Sequence, residues 1–301
     1  MQLKEEILKL KKEKNAVILG HCYQNIEIDD VADFVGDSLY LSQMAAKTNA
    51  DIIVFAGVYF MAQTAKIISP NKKVLLPNMN SGCLMADMVN LEQLREFKAK
   101  NKNVPVVCYV NSTAEVKAEC DICVTSSNAI KVVKSLNAPE ILFLPDTYLG
   151  KYVESQLKNV KVTTYPGFCP THMKITPEDI TKARNDYPTA KILTHPECHK
   201  EVCKLSDFVG STSQIMQYAK ESDEKIFVIA TEKGVVDRLK RDCPQKSFIL
   251  IKEDIVCPNM KHNTLEDIYN VLKNETNEIT VDKEISEKAL GSITRMLEVC
   301  K

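Results

Sequence analysis

The 301-residue chain has no excess of either charge: 39 Lys and Arg stand against 40 Asp and Glu. That balance argues against a basic surface of the kind that binds nucleic acid, and no Lys/Arg block reads as a basic tail. A long hydrophobic run is also missing. The longest, Ile52 to Ala62, is well short of the roughly 20 residues needed to cross a bilayer. The first segment is rich in Lys and Glu, with Leu3, Ile7, Leu8 and Leu10 at helical spacing. It has neither the apolar core nor the small-residue cleavage site of a secretory leader. No Pro/Gly/Ser-rich linker and no low-complexity stretch divides the chain. These absences predict a soluble, cytoplasmic protein that works on neither membrane nor nucleic acid. Apolar residues make up 45 % and charged residues 26 %, an ordinary mixture for a chain that buries a core.

Cysteine, by contrast, is plentiful. There are 11, and an odd number in an unexported chain argues against a disulfide framework. Metal ligation is one use for so many thiols, and packing as a small buried apolar residue is the other. Spacing has to discriminate.

Spacing reveals a repeat. Asp33-Phe34-Val35-Gly36 recurs unchanged as Asp207-Phe208-Val209-Gly210, an offset of 174 positions. His21 and His195, each closing an apolar run, share that offset, as do Cys83 and Cys257. A more diverged copy lies between them: Val106 to Tyr109 matches the His21 run, Asp121 to Val124 matches Asp33 to Gly36, and Cys169 lies 86 positions after Cys83 and 88 before Cys257. Each copy reads as a short apolar strand, a polar segment, a second strand, a Ser/Thr-led helix, a third strand, a helix, and a last strand running to the cysteine. Short apolar runs alternating with helical patterns predict parallel sheets with helices on both faces. The expected fold is α/β: three homologous three-layer α/β sandwich units around a pseudo-threefold axis. The units are expected at residues 1–101 (with the N-terminal helix), 102–186 and 187–275, with a closing amphipathic helix in 276–301.

In open α/β sheets ligands bind beyond the carboxyl ends of the strands. That end carries His21, Tyr109 and His195, three Ser-led helix starts and three cysteine loops, which units arranged about one axis would direct at one cavity. Three thiolates at one point suit an Fe–S cluster, zinc or Cu(I). A four-iron cluster on three ligands, Cys83, Cys169 and Cys257, would leave one iron open to act as a Lewis acid. The helix starts at Ser38, Ser126, Ser211 and Thr212 offer unpaired N–H groups, a positive dipole end and hydroxyls. Together they predict a small substrate with several carboxylates or a phosphate, although Ser and Thr also serve as plain N-caps.

Nine ordered stretches then resemble the quinolinate synthase A family: Gly20-His21-Cys22-Tyr23-Gln24; Asp33 to Ser38; Met79 to Cys83; Tyr109 to Glu115; Thr125 to Ala129; Gly167 to His172; His195-Pro196-Glu197-Cys198; Gly210 to Ser213; and Cys257-Pro258-Asn259-Met260. The resemblance implies a triple α/β sandwich and a [4Fe–4S] cluster with one open iron. It implies condensation of iminoaspartate (iminosuccinate) with dihydroxyacetone phosphate to quinolinate, a precursor of NAD. Carried over by motif, Cys83, Cys169 and Cys257 would hold the cluster. His21, Ser38, Tyr109, Asn111, Ser126, His195, Glu197 and Thr212 would line the substrate cavity with Ser211 beside them. Glu197 would be the acid/base, assisted by His21, Tyr23, Tyr109 and His195. The implied partners are these small molecules, with docking to the iminoaspartate-producing enzyme a further expectation that no segment marks. Some family members have a Cys-x-x-Cys-x-x-Cys near the C-terminus; only Cys300 stands there in this chain, so a disulfide switch of that kind is not expected.

Three other readings compete. Cys120-x-x-Cys123 and His195-x-x-Cys198-His199-x₃-Cys203 have zinc-like spacings, which would suit a structural or interaction protein. A redox carrier or iron–sulfur sensor would want a fourth ligand in register, and none is found. Another cluster-dependent dehydratase of a small acid would share the whole ligand argument.

Overall fold

The computed structural model describes residues 2–300. Helix α1 (Gln2–Glu13) leads into β1 (Ala16–His21), β2 (Phe34–Gly36), α2 (Ser38–Lys47), β3 (Ile52–Ala56), α3 (Tyr59–Ile68), β4 (Lys73–Leu75) and α4 (Leu91–Lys100). The second unit runs β5 (Val106–Tyr109), α5 (Ala114–Ala118), β6 (Ile122–Val124), α6 (Ala129–Ser135), β7 (Glu140–Leu144), α7 (Thr147–Gln156), β8 (Lys161–Thr164) and α8 (Pro177–Asp186). The third runs β9 (Lys191–Thr194), α9 (Lys200–Leu205), β10 (Phe208–Val209), α10 (Thr212–Glu221), β11 (Ile226–Ala230), α11 (Lys233–Asp242), β12 (Ser247–Leu250) and α12 (Leu265–Asn274), before α13 (Lys283–Val299).

The three sheets are parallel and share one strand order: β2-β1-β3-β4, β6-β5-β7-β8 and β10-β9-β11-β12. The three-unit α/β expectation holds. Side-chain alternation explains the unbroken apolar runs. In the first sheet Val17, Leu19, Ile53 and Phe55 face one core while Ile18, Ile52, Val54 and Ala56 face another. In the third, Leu193, Phe227 and Ile229 oppose Ile192, Val228 and Ala230 in the same way. Strands covered on both faces read as continuous hydrophobic runs. Each fully buried Ile, Leu or Phe contributes about 1.5–3 kcal/mol by leaving water.

A repeated polar device sets the second strand beside the first. Asp33 accepts the backbone N–H of Ile18 at 2.8 Å, Asp121 that of Val106 at 2.7 Å, and Asp207 that of Ile192 at 2.7 Å. In return each aspartate's own N–H reaches the same residue's carbonyl. This is why an aspartate recurs 15 positions after the strand residue it bonds in each unit.

The units are also interleaved. Helices α4, α8 and α12 occupy equivalent places in the repeat, and each opens with a capping box, at Asn90, Thr176 and Thr264. Each packs on the following unit: α4 on α5, α8 on α9, and α12 on α1 and β3. Helix α13 lies on α5 and β6, burying Ala289, Ser292, Ile293 and Met296.

Candidate active site

The carboxyl ends of the three sheets meet at a cavity of about 220 Å³ lined by His21, Tyr23, Ser38, Cys83, Tyr109, Asn111, Ser126, Cys169, His195, Glu197, Thr212 and Cys257, with further apolar and polar neighbours. Twelve of the thirteen residues singled out in the sequence therefore share one wall. Ser211 does not. It is fully buried behind the wall as the N-cap of α10, accepting the N–H of Gln214.

Two units present the same turn. His21 ends β1 and its Nδ1 accepts the N–H of Tyr23 at 3.1 Å; His195 follows β9 and its Nδ1 accepts the N–H of Glu197 at 3.3 Å. This acceptor role leaves the proton of each neutral ring on Nε2. In His195 that nitrogen lies 3.3 Å from the hydroxyl of Ser126. Burial lowers both imidazoles, His21 to about 3 and His195 to about 4, so both are neutral near pH 7.

Glu197 sits at the centre. Burial alone would raise its carboxyl, but the neighbouring imidazoles of His195 and His172 and two hydrogen bonds outweigh it and hold the carboxyl well below its usual range. Tyr109 donates to Oε1 at 2.6 Å, and His172 Nδ1 lies 2.8 Å from Oε2. Beyond His172 the chain of bonds continues from Nε2 to Thr231 Oγ1 at 2.8 Å, from there to the Tyr23 hydroxyl at 3.0 Å, and on to Thr212 Oγ1 at 2.9 Å. A phenol, a threonine and an imidazole thus connect the first unit to the carboxylate of the third. Burial pushes the phenols of Tyr23 and Tyr109 well above their usual range, keeping them as donors.

The Tyr23 turn is clamped from outside. Arg238, buried and paired with Asp29, donates to the carbonyls of Cys22 at 2.5 Å and Gln24 at 3.2 Å. Lys261 donates to the carbonyl of Tyr23 at 2.6 Å. Gly234 backs onto this turn so closely that a Cβ there would stand 2.6 Å from the carbonyl oxygen of Cys22, so only glycine fits.

Cys83, Cys169 and Cys257 each come from a different unit and are half-buried on the cavity wall. Burial raises all three thiols, Cys83 to about 12, so they stay protonated until a cation displaces the proton. Their sulfurs do not fall within 4.8 Å of one another as a set, so as they stand the three do not share one ion. Buried carboxylates stand behind two of the loops. Glu232 accepts the N–H of Cys257 at 3.3 Å and pairs with Lys261 at 3.2 Å; Asp146 caps α7 and faces the N–H of Cys169. Gly167 seats the Cys169 loop, since a Cβ there would lie 2.6 Å from the carbonyl oxygen of Pro145. Among the described residues, the group of three side chains close enough to share a metal ion is Cys169, His172 and Glu197. Neither zinc-like spacing forms such a group: Cys120 turns to the carbonyl of Val116, Cys198 to that of Ala230, and His199 packs edge-on against Tyr148.

The helix starts differ from the sequence expectation. Helix α2 is capped by Asp37, whose side chain accepts the N–H of Tyr40, and Ser38 is its first helical residue. Helix α6 begins after Asn128, leaving Ser126 in the preceding turn. A carboxylate at one start and a short helix at another weaken the dipole argument for anion binding, because Asp37 already satisfies the positive end. The starts do converge: Ser127 Oγ bonds Asp37 at 2.6 Å and Ser211 at 3.1 Å.

Sequence reasoning missed His172, Asp37, Ser127, Thr231 and Lys174, of which all but Thr231 line the cavity. His172 was within reach, three residues after Cys169 in a stretch already singled out. Thr231 had no motif to mark it.

The family model for quinolinate synthetase A protein matches residues 5–298. A quinolinate synthase of Alkaliphilus metalliredigens is 55 % identical over 98 % of this chain and 97 % of its own. Those of Dehalococcoides mccartyi and Aquifex aeolicus are 50 % and 49 % identical over 99 % of this chain, covering 98 % and 94 % of theirs. No described helix is long and apolar enough to cross a membrane. With three α/β units directing their strand ends, cysteines and strand-end turns at one cavity, and with that likeness over almost every residue, the chain belongs to the quinolinate synthase family.

Proposed function

We propose that this chain is a quinolinate synthase that condenses iminoaspartate with dihydroxyacetone phosphate, in the cytoplasm, as a step toward NAD. The observation that carries the reading is the meeting of Cys83, Cys169 and Cys257, one per unit, beside Glu197 and the neutral imidazoles of His21 and His195. The donor set suits a [4Fe–4S] cluster: three soft sulfurs, too widely set for one shared ion. When bound, such a cluster would supply a Lewis-acidic iron with a vacant position.

The remaining work falls to side chains. Formal charges on the wall are confined to Asp37, Glu197 and Lys174 beside the cysteines, so the carboxylates and phosphate of the substrates would be held largely by neutral donors. Ser38, Ser126 and Thr212 offer hydroxyls; His21 and His195 offer Nε2–H. Asn111 Oδ1 is buried without a partner and would accept an N–H or O–H of a bound substrate, relieving the cost of about 1–3 kcal/mol that an unpaired buried acceptor carries. Glu197, ionised and hydrogen-bonded to Tyr109 and His172, would take a proton from carbon in the enolisation step and return it in dehydration. The Tyr23–Thr231–His172 path would relay protons to it.

The test is direct. Anaerobically prepared protein is given iminoaspartate and dihydroxyacetone phosphate, and quinolinate is sought by mass. Iron and sulfide near four per chain, with no quinolinate formed, would remove the specific assignment and leave a dehydratase of another small acid.

A further inference from the structure

Cys169 belongs to two ligand sets. One is the wide cysteine trio. The other is tight and of mixed chemistry: Cys169 Sγ lies 3.2 Å from His172 Nδ1, which lies 2.8 Å from Glu197 Oε2, and all three atoms fall within 4.8 Å of one another. Zinc–sulfur bonds of about 2.3 Å and zinc–nitrogen or zinc–oxygen bonds of about 2.0–2.1 Å place the ligands of a tetrahedral ion roughly 3.3–3.6 Å apart. The two edges at His172 are shorter than that, by about 0.5 Å to the carboxylate and about 0.4 Å to the sulfur, and the third is under 4.8 Å, so the trio would have to spread slightly around an ion. His172 is also oriented from behind, its Nε2 2.8 Å from Thr231 Oγ1, a hydroxyl that can serve as the outer-shell acceptor a metal-bound imidazole needs. His172 and Glu197 are buried, and the fourth direction opens on the cavity.

We propose that the chain, when it carries no cluster, binds one zinc-class divalent ion through Cys169 Sγ, His172 Nδ1 and a Glu197 oxygen, and that this ion and the cluster exclude each other because both require Cys169. The proton balance is simple. Cys169 releases its thiol proton to solvent, and His172 moves its single proton to Nε2, where Thr231 Oγ1 accepts it. Glu197 is already a carboxylate. Thiolate and carboxylate then neutralise the 2+ ion, which favours it in a buried place. The ion would occupy the proposed base, so the zinc form would be inactive. The zinc site stands on its own geometry; only the exclusion rests on the cluster reading.

Full-length protein is stripped of iron anaerobically with thiols reduced, then titrated with Zn²⁺ against a chromogenic chelator, and with Co²⁺ for its spectrum. We expect about one zinc per chain and a thiolate-to-cobalt charge-transfer band, as for a Cys/His/carboxylate site. Glu197→Gln, which keeps the size of the side chain, and His172→Gln should each weaken zinc at least tenfold, the lower end of what even outer-shell changes cost. Cys83→Ala and Cys257→Ala should bind zinc as the parent does. Loss of zinc in Cys83→Ala or Cys257→Ala as severe as in His172→Gln would overturn the site, as would cobalt binding without the charge-transfer band. Zinc-loaded protein should gain no cluster absorbance from ferrous iron and sulfide until the zinc is chelated; uptake of the cluster with zinc retained would overturn the exclusion. If zinc-free protein never gains a cluster, the cluster reading and the exclusion fall together, while the titration still judges the zinc site.

Discussion

In the turn after β1, His21 accepts the N–H of the residue two places on; in the turn after β9, His195 does the same. The backbone is alike and the ring is alike, but the residue so presented is a phenol in one case and a carboxylate in the other. The equivalent place in the middle unit holds Asn111, whose buried Oδ1 has no partner. In those two units a shared turn therefore fixes where the side chain points, and the side chain alone decides the chemistry, donor in one and base in the other; the middle unit, with Tyr109 in the histidine's place, offers an acceptor at the equivalent position. The turns also differ in what holds them. The Tyr23 turn is tied by Arg238 and Lys261 from the third unit, whereas the Glu197 turn is held by bonds to the reactive carboxylate itself.

The largest break in this comparison is Glu197→Gln, which turns the one base into an amide of the same shape. Turnover should fall about 10²–10⁴-fold while cluster absorbance is kept; a fully active variant would end the catalytic role given to Glu197. Tyr109→Phe comes next. It removes the donor that helps hold the carboxyl down, so the acid limb of kcat/KM should move to higher pH, with a loss of about 1.5–3 kcal/mol in a hydrogen bond to a charged group. An unmoved limb would show that Tyr109 does not tune Glu197. Glu232→Ala leaves Lys261 without its partner and the Cys257 N–H without its acceptor. Lys261 is partly exposed, so the destabilisation should be about 2–4 kcal/mol, below the full value for a buried pair, read by denaturant melts. The last concerns His21, which burial lowers from 6.5 to about 3. Above pH 6.5 neither folded nor unfolded chain protonates it. Below that value the unfolded chain takes up a proton that the folded chain refuses, so wild type should lose about 2 kcal/mol relative to His21→Gln between pH 6.5 and 5. Parallel stability curves would contradict the buried, neutral ring.

The fold was legible because the repeat left landmarks at one offset: Asp33 and Asp207 recur since each must bond a strand N–H, and His21 and His195 since each closes a turn. The cysteine trio followed from the same arithmetic. What lay between units was hidden. Nothing in the periodicity near Ser38 says that Asp37 takes the cap, because Asp and Ser serve equally well there. Ser211 looked equivalent to Ser38 but is drawn behind the wall by its capping bond to Gln214. His172 and Thr231 acquire meaning only through contacts over 25 and 59 positions, to Glu197 and to each other, which no local pattern encodes.

The placement of α4, α8 and α12, each packed on an element of the next unit, bears on how the molecule can come apart. A piece cut at residue 101 would carry α4 with nothing beneath it and would leave Ile18 and Val54 bare where Leu265, Ile268 and Leu272 belong. The smallest self-sufficient object is thus the closed circuit of all three units. Melting should accordingly be a single event, and loss of residues beyond 264 should be felt first at the sheet built from the opposite end of the chain.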